Sequence, residues 1–281
     1  MLWRSKMSFV TRFAPSPTGY LHLGHAFSAL SAFDAARAAG GRFLLRIEDI
    51  DQGRARPEFE AAIYGDLAWL GVEWEMPVRR QSEHMDEYKQ VLDGLIERGL
   101  LYRDFRTRRE ITEAIASAPH GASDDVFRGE ALPPDEEAKR LAAGEAFAWR
   151  LSLRKARAAL GPAYFALVFE DETGTVRADP EKHGDVVLAR KDFPASYHLA
   201  SVWDDALQGV THVIRGEDCA KRRTCTCCCR NCWGCRSPCT TTTRLSLAMT
   251  ASVSPSVIPR RHCVRCVKAA KRARIFARCS G

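Results

Sequence analysis

Two histidines separated by a leucine and a glycine, His22-Leu-Gly-His25, follow closely on the leader Arg12-Phe-Ala-Pro-Ser-Pro-Thr-Gly19. Pro15, Pro17 and Gly19 make the leader a turn. Ser8 to Phe13 before it reads as a strand, and Ala26, Phe27, Leu30, Phe33 and Ala36 after it recur at helical spacing. A helix that opens on such a turn offers unpaired N–H groups and the positive end of its dipole, a setting that suits a phosphate. Gly24 allows a ligand close to the backbone, and imidazoles beside a phosphate can donate hydrogen bonds as charge builds on a pentavalent phosphorus. Nucleotide chemistry is one reading of these residues. Two surface histidines flanking an ordinary helix cap is the other, and a motif this short does not separate them.

The elements that would carry these residues alternate. Arg42 to Ile47 is a second strand, and helices are expected from Pro57 to Leu70, with proline at the start, and from Met85 to Leu100. Strand, helix, strand, helix favours an α/β fold with a parallel sheet. From Tyr102 to Arg190 the pattern is less regular and looks inserted. It has a Pro/Asp/Glu-rich connection near Leu132 to Glu137 and strand-like runs at Ala146 to Leu153 and Tyr164 to Phe169. Helix and then strand return between Ser196 and Arg215, with Thr211 to Ile214 as the strand. The expected divisions are residues 7–101 and 191–218 as two parts of one catalytic domain, 102–190 as the insertion, and 219–281 as a tail.

Charge and cysteine separate the body from that tail. All 11 cysteines lie after Asp218, with 14 of the 42 basic residues and none of the 35 acidic ones. The first 218 residues therefore carry a net charge of −7 and the tail +14. An acidic body gives no global electrostatic reason to bind nucleic acid, so any such site has to be a local patch. No apolar run is long enough for a membrane helix. Met1 to Lys6 is basic but is not followed by the apolar stretch of a secretory signal, and Met7 is an alternative start. A cytoplasmic protein is expected.

Several separated blocks resemble the glutamyl-tRNA synthetase family of class I: the leader with His22-Leu-Gly-His25, Leu45-Arg-Ile-Glu-Asp-Ile-Asp51, Ser196-Tyr-His-Leu-Ala, and Gly209-Val-Thr-His-Val-Ile-Arg-Gly-Glu-Asp218. Length and the wording of the last two blocks are most similar to the short branch that lacks an anticodon-binding domain. The resemblance implies a Rossmann-like parallel sheet split by an acceptor-end insertion. It also implies ATP with Mg2+ as cofactor, L-glutamate activated to the adenylate, and transfer to the queuosine of tRNA(Asp) by a monomer. His22, Gly24 and His25 then match the ATP-cradling positions, the two histidines acting in catalysis. Arg12, Ala14, Ser16, Glu48, Tyr197 and Arg215 match the amino-acid pocket. Glutamate has two carboxylates and an ammonium, so arginine forks and a carboxylate are the complementary groups. Taken singly, Arg12 and Glu48 also fit a surface ion pair, and Tyr197 a core residue. A truncated enzyme charging tRNA(Glu), or a non-catalytic remnant binding tRNA or glutamate, uses the same residues.

Two departures stand out. Relatives with a structural zinc place Cys-x-Cys just after the tyrosine matching Tyr102. Here Asp104 and Arg106 occupy those places, and His120 alone cannot make a four-ligand site, so zinc is not expected. After Asp218 the family's amphipathic helix and lysine loop are missing, and Lys268 and Lys271 lack the matching context. Read one base back, with codons chosen within their degeneracy, Thr224-Cys-Thr-Cys-Cys-Cys229 becomes His-Leu-His-Leu-Leu-Leu. Asn231 to Arg236, Thr240 to Thr243 and Ser252 to Val257 give further family-like fragments in order. A one-base deletion beside the Asp218 codon accounts for them, leaving an aberrant or disordered tail. The competing reading is a zinc- or RNA-binding tail built on Cys232-x-x-Cys235, Cys263-x-x-Cys266 and the arginines.

Overall fold

The computed structural model describes residues 9–116, 126–171, 174–191, 193, 195–216 and 244–245. The chain opens with β1 (Val10–Phe13), α1 (Leu23–Ala38) and β2 (Arg42–Ile47). β1 and β2 run parallel, Val10 opposite Arg42 and Phe13 opposite Leu45, with α1 as the crossover. α2 (Pro57–Trp69) leads to β3 (Arg79–Arg80), parallel to the end of β2. Pro57 at the first helical turn and Glu58 and Glu60 near the positive dipole end explain where α2 starts. A 3-10 turn, Gln81–His84, then feeds α3 (Met85–Glu97).

The strands bury their side chains because both faces are covered. Phe13, Leu45 and Ile47 pack with Ala29, Ala32 and Phe33 of α1 and with Ile63 and Leu67 of α2. The small residues of α1 bring that helix close to the sheet. Gly41 is forced by the same crowding: a Cβ there would lie 2.1 Å from the carbonyl oxygen of Phe9.

The middle of the chain contains β4 (Leu101–Asp104), α4 (Arg108–Ala116), α5 (Pro134–Ala142), β5 (Ala148–Leu151), α6 (Leu153–Leu160), α7 (Pro162–Phe165), β6 (Val168–Asp171), β7 (Gly174–Arg177) and β8 (Val187–Arg190). β4, β5 and β8 form an antiparallel sheet, and β6 and β7 a hairpin. Two expectations are corrected here. The Leu132–Glu137 connection becomes the first turn of α5, where Pro134, Asp135, Glu136 and Glu137 suit a helix start. Tyr164 to Phe169 is not one strand: Gly161, at φ +54°, and Pro162 set up α7 before β6 begins.

The chain then returns through α8 (Tyr197–Leu207). Leu199 and Val202 of this helix share one apolar cluster with Tyr88 and Leu95 of α3 and with Leu151 and Leu188 of the antiparallel sheet. Thr211 to Ile214 does not form the expected strand. Its first two N–H groups both converge on the Val10 carbonyl, and Thr211 Oγ1 accepts the Val10 N–H at 2.8 Å, so the segment lies beside β1 without a regular ladder. The assigned strand is β9 (Arg215–Gly216), parallel to β10 (Arg244–Leu245). The remaining expectations for the tail, with its helix, lysine loop and cysteine pairs, lie outside the described residues, as does His120. Among the described residues no helix is long and apolar enough to cross a membrane.

Candidate active site

The leader ties the two parallel strands together at their carboxyl ends. Glu48 donates its N–H to the carbonyl of Pro15 at 3.0 Å, and Arg56 donates to that of Pro17 at 3.0 Å. Ala14 and the exposed Ser16 therefore lie in a loop fixed against the end of β2. In parallel α/β sheets this end of the strands is where ligands bind.

At the start of α1 the two histidines cap the helix reciprocally. His22 Nδ1 accepts the Gly24 N–H at 3.1 Å, and His25 Nδ1 accepts the His22 N–H at 3.3 Å. Their rings stack with centroids 3.8 Å apart. Because both δ nitrogens accept, each neutral ring carries its proton on Nε2, which remains available as a donor. Burial and the neighbouring His22 lower the pKa of His25 to about 4, so the neutral form holds near neutrality. The helix-cap and phosphate readings are thus compatible: the cap fixes the tautomer that can donate. Gly24 has a second reason to be glycine, since a Cβ would lie 3.0 Å from Cε1 of the His22 ring.

Arg12 and Glu48 are buried and do not form a surface pair. They are joined through two other residues. Arg12 donates from Nε and Nη2 to Asp205 at 3.2 and 3.4 Å. Arg46, fully buried in β2, donates to Asp205 at 2.8 Å, to Gln208 at 3.0 Å and to Glu48 at 3.0 Å. Asp205 and Gln208 come from the α8 end of the chain. Asp204, the neighbour of Asp205, faces a further layer: it accepts from Tyr88 at 2.9 Å, Gln81 at 2.9 Å and Arg79 at 2.8 Å. Burial works against ionisation of Asp205, but the Arg12 and Arg46 guanidiniums hold its carboxyl well below the usual carboxylate range. Burial raises the pKa of Glu48, and Arg46 and Arg12 pull against that rise. Burial likewise opposes the charge of Arg46, and Asp205, Glu48 and Asp204 keep it firmly protonated.

Tyr197 opens α8 half-buried, eight residues before Asp205, and its carbonyl accepts from Ser201 Oγ at 2.6 Å. Arg215 begins β9, directly after Ile214, which packs with Phe13. Reasoning from the sequence missed Arg46, Asp204 and Asp205. The available signal was charge in apolar text: an arginine inside Arg42-Phe-Leu-Leu-Arg-Ile47, and an acidic pair inside Leu199-Ala-Ser-Val-Trp-Asp-Asp-Ala-Leu207. Charges of opposite sign inside two buried elements require each other.

Asp104 and Arg106, which stand where the Cys-x-Cys of zinc-bearing relatives is expected, hold a different chemistry. Asp104 accepts from Arg106 at 2.7 Å and from Arg150 at 2.6 Å. Arg150 also donates to the Asp185 carbonyl at 2.6 Å. The Asp185 carboxylate takes Tyr102 OH at 2.9 Å, the Leu153 N–H at 2.9 Å and the Gly129 N–H at 3.0 Å. The Arg106 and Arg150 guanidiniums each lie over the Phe127 ring, 4.5 Å from its centroid. Two arginines at the centre of this cluster place positive charge where a zinc ion would have to sit.

Comparison with known proteins follows the same residues. The family model of tRNA synthetases class I (E and Q), catalytic domain, matches residues 8–254. The chain is 48% identical over 217 residues to glutamyl-Q tRNA(Asp) synthetase of Rhodobacter capsulatus, covering 74% of this chain and 77% of that protein. It is 40% identical over 211 residues to glutamate–tRNA ligase of Aquifex aeolicus, covering 74% of this chain but only 43% of the relative. A crystal structure of a glutamate tRNA ligase from Elizabethkingia meningosepticum, in complex with its amino acid, superposes with a TM-score of 0.69 at 28% identity, over 88% of this chain and 52% of that one. This chain thus spans about half the length of the glutamate–tRNA ligases it matches. With a family match across most of its sequence, the chain belongs to the class I (E and Q) tRNA synthetases, at their catalytic domain.

Proposed function

We propose that this active site is built to activate L-glutamate with ATP and to pass the glutamyl group to the queuosine of tRNA(Asp). The observation that carries the reading is the placement of a paired-imidazole helix cap and a buried cation–carboxylate pair at the ends of two adjacent parallel strands, β1 and β2. In the reaction a glutamate carboxylate oxygen attacks the α-phosphorus of ATP and pyrophosphate leaves. Arg12 presents a guanidinium to a substrate carboxylate, with Arg215 as the second cation, and Glu48 receives the ammonium. Tyr197, Ala14 and Ser16 complete the pocket wall. His22 and His25 donate from Nε2 to the phosphates as negative charge develops there. Mg2+ brought by ATP would supply neutralisation of phosphate charge beside His22 and His25. The queuosine-linked acceptor is preferred over tRNA(Glu) because the R. capsulatus relative matches over 77% of its length, whereas the glutamate–tRNA ligase of A. aeolicus matches over 43%. We read residues 102–190 as the acceptor-end insertion, and the protein as a cytoplasmic monomer.

A second reading concerns turnover. The acid-free tail supplies no lysine loop, and loss of one preorganised phosphate donor is worth about a hundredfold to a thousandfold in rate. We therefore infer that this chain binds glutamate and ATP but forms adenylate slowly. L-glutamate-dependent ATP–pyrophosphate exchange by the purified full chain tests both parts, beside a version with one base restored after the Asp218 codon. Slow exchange in the chain as given and fast exchange in the restored version is the expected result. Equal exchange rates would overturn the tail argument, and no exchange or glutamate binding in either would overturn the function. Transfer of labelled glutamate to queuosine-containing tRNA(Asp), and not to tRNA(Glu), separates the two acceptors.

A further inference from the structure

Arg12 lies on β1 and Glu48 directly follows β2; they carry opposite charges, yet they do not bond to each other. Each is held by a residue whose own position is fixed elsewhere. Arg12 turns its Nε and Nη2 edge to Asp205, and among the described residues Nη1 makes no hydrogen bond. Glu48 receives Arg46 on Oε1, and Oε2 takes none among the same residues. Asp205 and Arg46 are bonded at 2.8 Å, and Gln208 gives Arg46 Nη1 a second acceptor. The four charges Arg12, Asp205, Arg46 and Glu48 thus alternate in sign along one chain of contacts. Its inner members are the most enclosed: the side chain of Arg46 is 0% exposed and that of Asp205 3%, against 8% for Arg12 and Glu48.

We propose that Asp205, acting with Arg46, is the positioning residue of the amino-acid pocket: it fixes the Arg12 fork while Arg46 fixes Glu48, so that α8 sets the separation of the cation and the carboxylate that meet the substrate. The inference rests on the glutamate-site reading of Arg12 and Glu48. Without the Asp205 charge, Arg12 loses the acceptor that fixes its fork, and a direct pair of Arg12 with Glu48 would occupy the groups the substrate needs. The consequence is specific to the amino acid, because the phosphate donors on α1 belong to the separate cap made by His22 and His25.

The test is calorimetric titration of the full chain with L-glutamate and, separately, with ATP. Asp205→Asn keeps the shape of the side chain and removes the charge that holds Arg12. It is expected to weaken L-glutamate by about tenfold to a hundredfold, the span of a lost charge-assisted contact, with ATP affinity changed by less than about twofold. A merely structural role would lower both affinities together with the unfolding midpoint. Asp205→Glu should restore part of the glutamate affinity. Wild-type affinity for glutamate in folded Asp205→Asn overturns the positioning role and leaves the pocket reading intact. No glutamate binding by the wild-type chain overturns both. Should Asp205→Asn not fold, Gln208→Ala carries the test, because it loosens only one bond of Arg46. About threefold weaker glutamate with unchanged ATP supports the proposal, and an unchanged glutamate affinity overturns it.

Discussion

Two buried arginines, Arg46 in the parallel sheet and Arg150 in the antiparallel one, are each surrounded by carboxylate and carbonyl oxygens, but their surroundings are completed differently. Around Arg150 every strong acceptor has a protein partner. Both oxygens of Asp104 are taken by arginines, and Asp185 uses both carboxylate oxygens and its carbonyl. The separations in sequence are 46 and 35 residues, within one part of the chain. Around Arg46 the contacts span 159 and 162 residues and bring α8 onto β2, and the outer members, Arg12 and Glu48, each leave one polar atom unbonded among the described residues. A closed ionic cluster can only support the fold. An open one supports the fold and also presents charge to a ligand, at the cost of holding like and unlike charges in a low-dielectric interior.

The comparison can be broken by removing each arginine in turn. Arg46→Ala strands Glu48 and leaves Asp205 with Arg12 alone, and should cost about 3–5 kcal/mol in urea unfolding, with loss of L-glutamate binding in whatever fraction folds. Arg150→Ala leaves Asp104 with Arg106 alone and should cost less, about 1.5–3 kcal/mol, and folded protein should bind L-glutamate with wild-type affinity. If Arg150→Ala weakened glutamate as strongly as Arg46→Ala, the two clusters would not be functionally distinct.

A smaller effect sharpens the distinction between amino-acid and phosphate recognition. Gly24→Ala pushes a Cβ against the His22 ring at 3.0 Å and should cost about 1 kcal/mol, the worth of a helix N-cap. ATP affinity should fall in calorimetric titration and L-glutamate affinity should not. His25 gives the pH counterpart. Its folded pKa of about 4 lies below the reference value of 6.5, so the unfolded state takes up the proton first as pH falls. The stability held by the neutral cap is therefore complete above about pH 6.5 and is lost progressively toward pH 4. Unfolding midpoints at pH 7.5 and pH 5, with the His25 ring followed by NMR, check the sign. The smallest effect is expected at Arg42 and Glu75, an exposed pair 2.6 Å apart with side chains 52% and 43% accessible. Arg42→Ala should change stability by less than about 1 kcal/mol, against which the buried clusters stand out.

Periodicity and punctuation alone determined much of the framework. β2 spans the expected Arg42–Ile47, and α2 and α3 start at Pro57 and Met85, because apolar spacing, a helix-start proline and acidic first turns are local signals. The His22 and His25 cap was legible for the same reason: donors and acceptors three residues apart meet wherever a helix begins. What the sequence could not provide was the partner of each buried charge. Thr211 to Ile214 looks like a strand by composition, but its N–H groups go to Val10, some 200 residues earlier, in a geometry only the packed sheet decides. Asp204 and Asp205 are adjacent in sequence and meet different partners: Asp204 accepts from Arg79, Gln81 and Tyr88 and Asp205 from Arg12 and Arg46, with Arg46 Nε 3.6 Å from Asp204 joining the two sets. Neighbours on a helix point about 100° apart, so the direction each carboxylate faces was set by the backbone, while the arginines they meet were chosen by the tertiary fold.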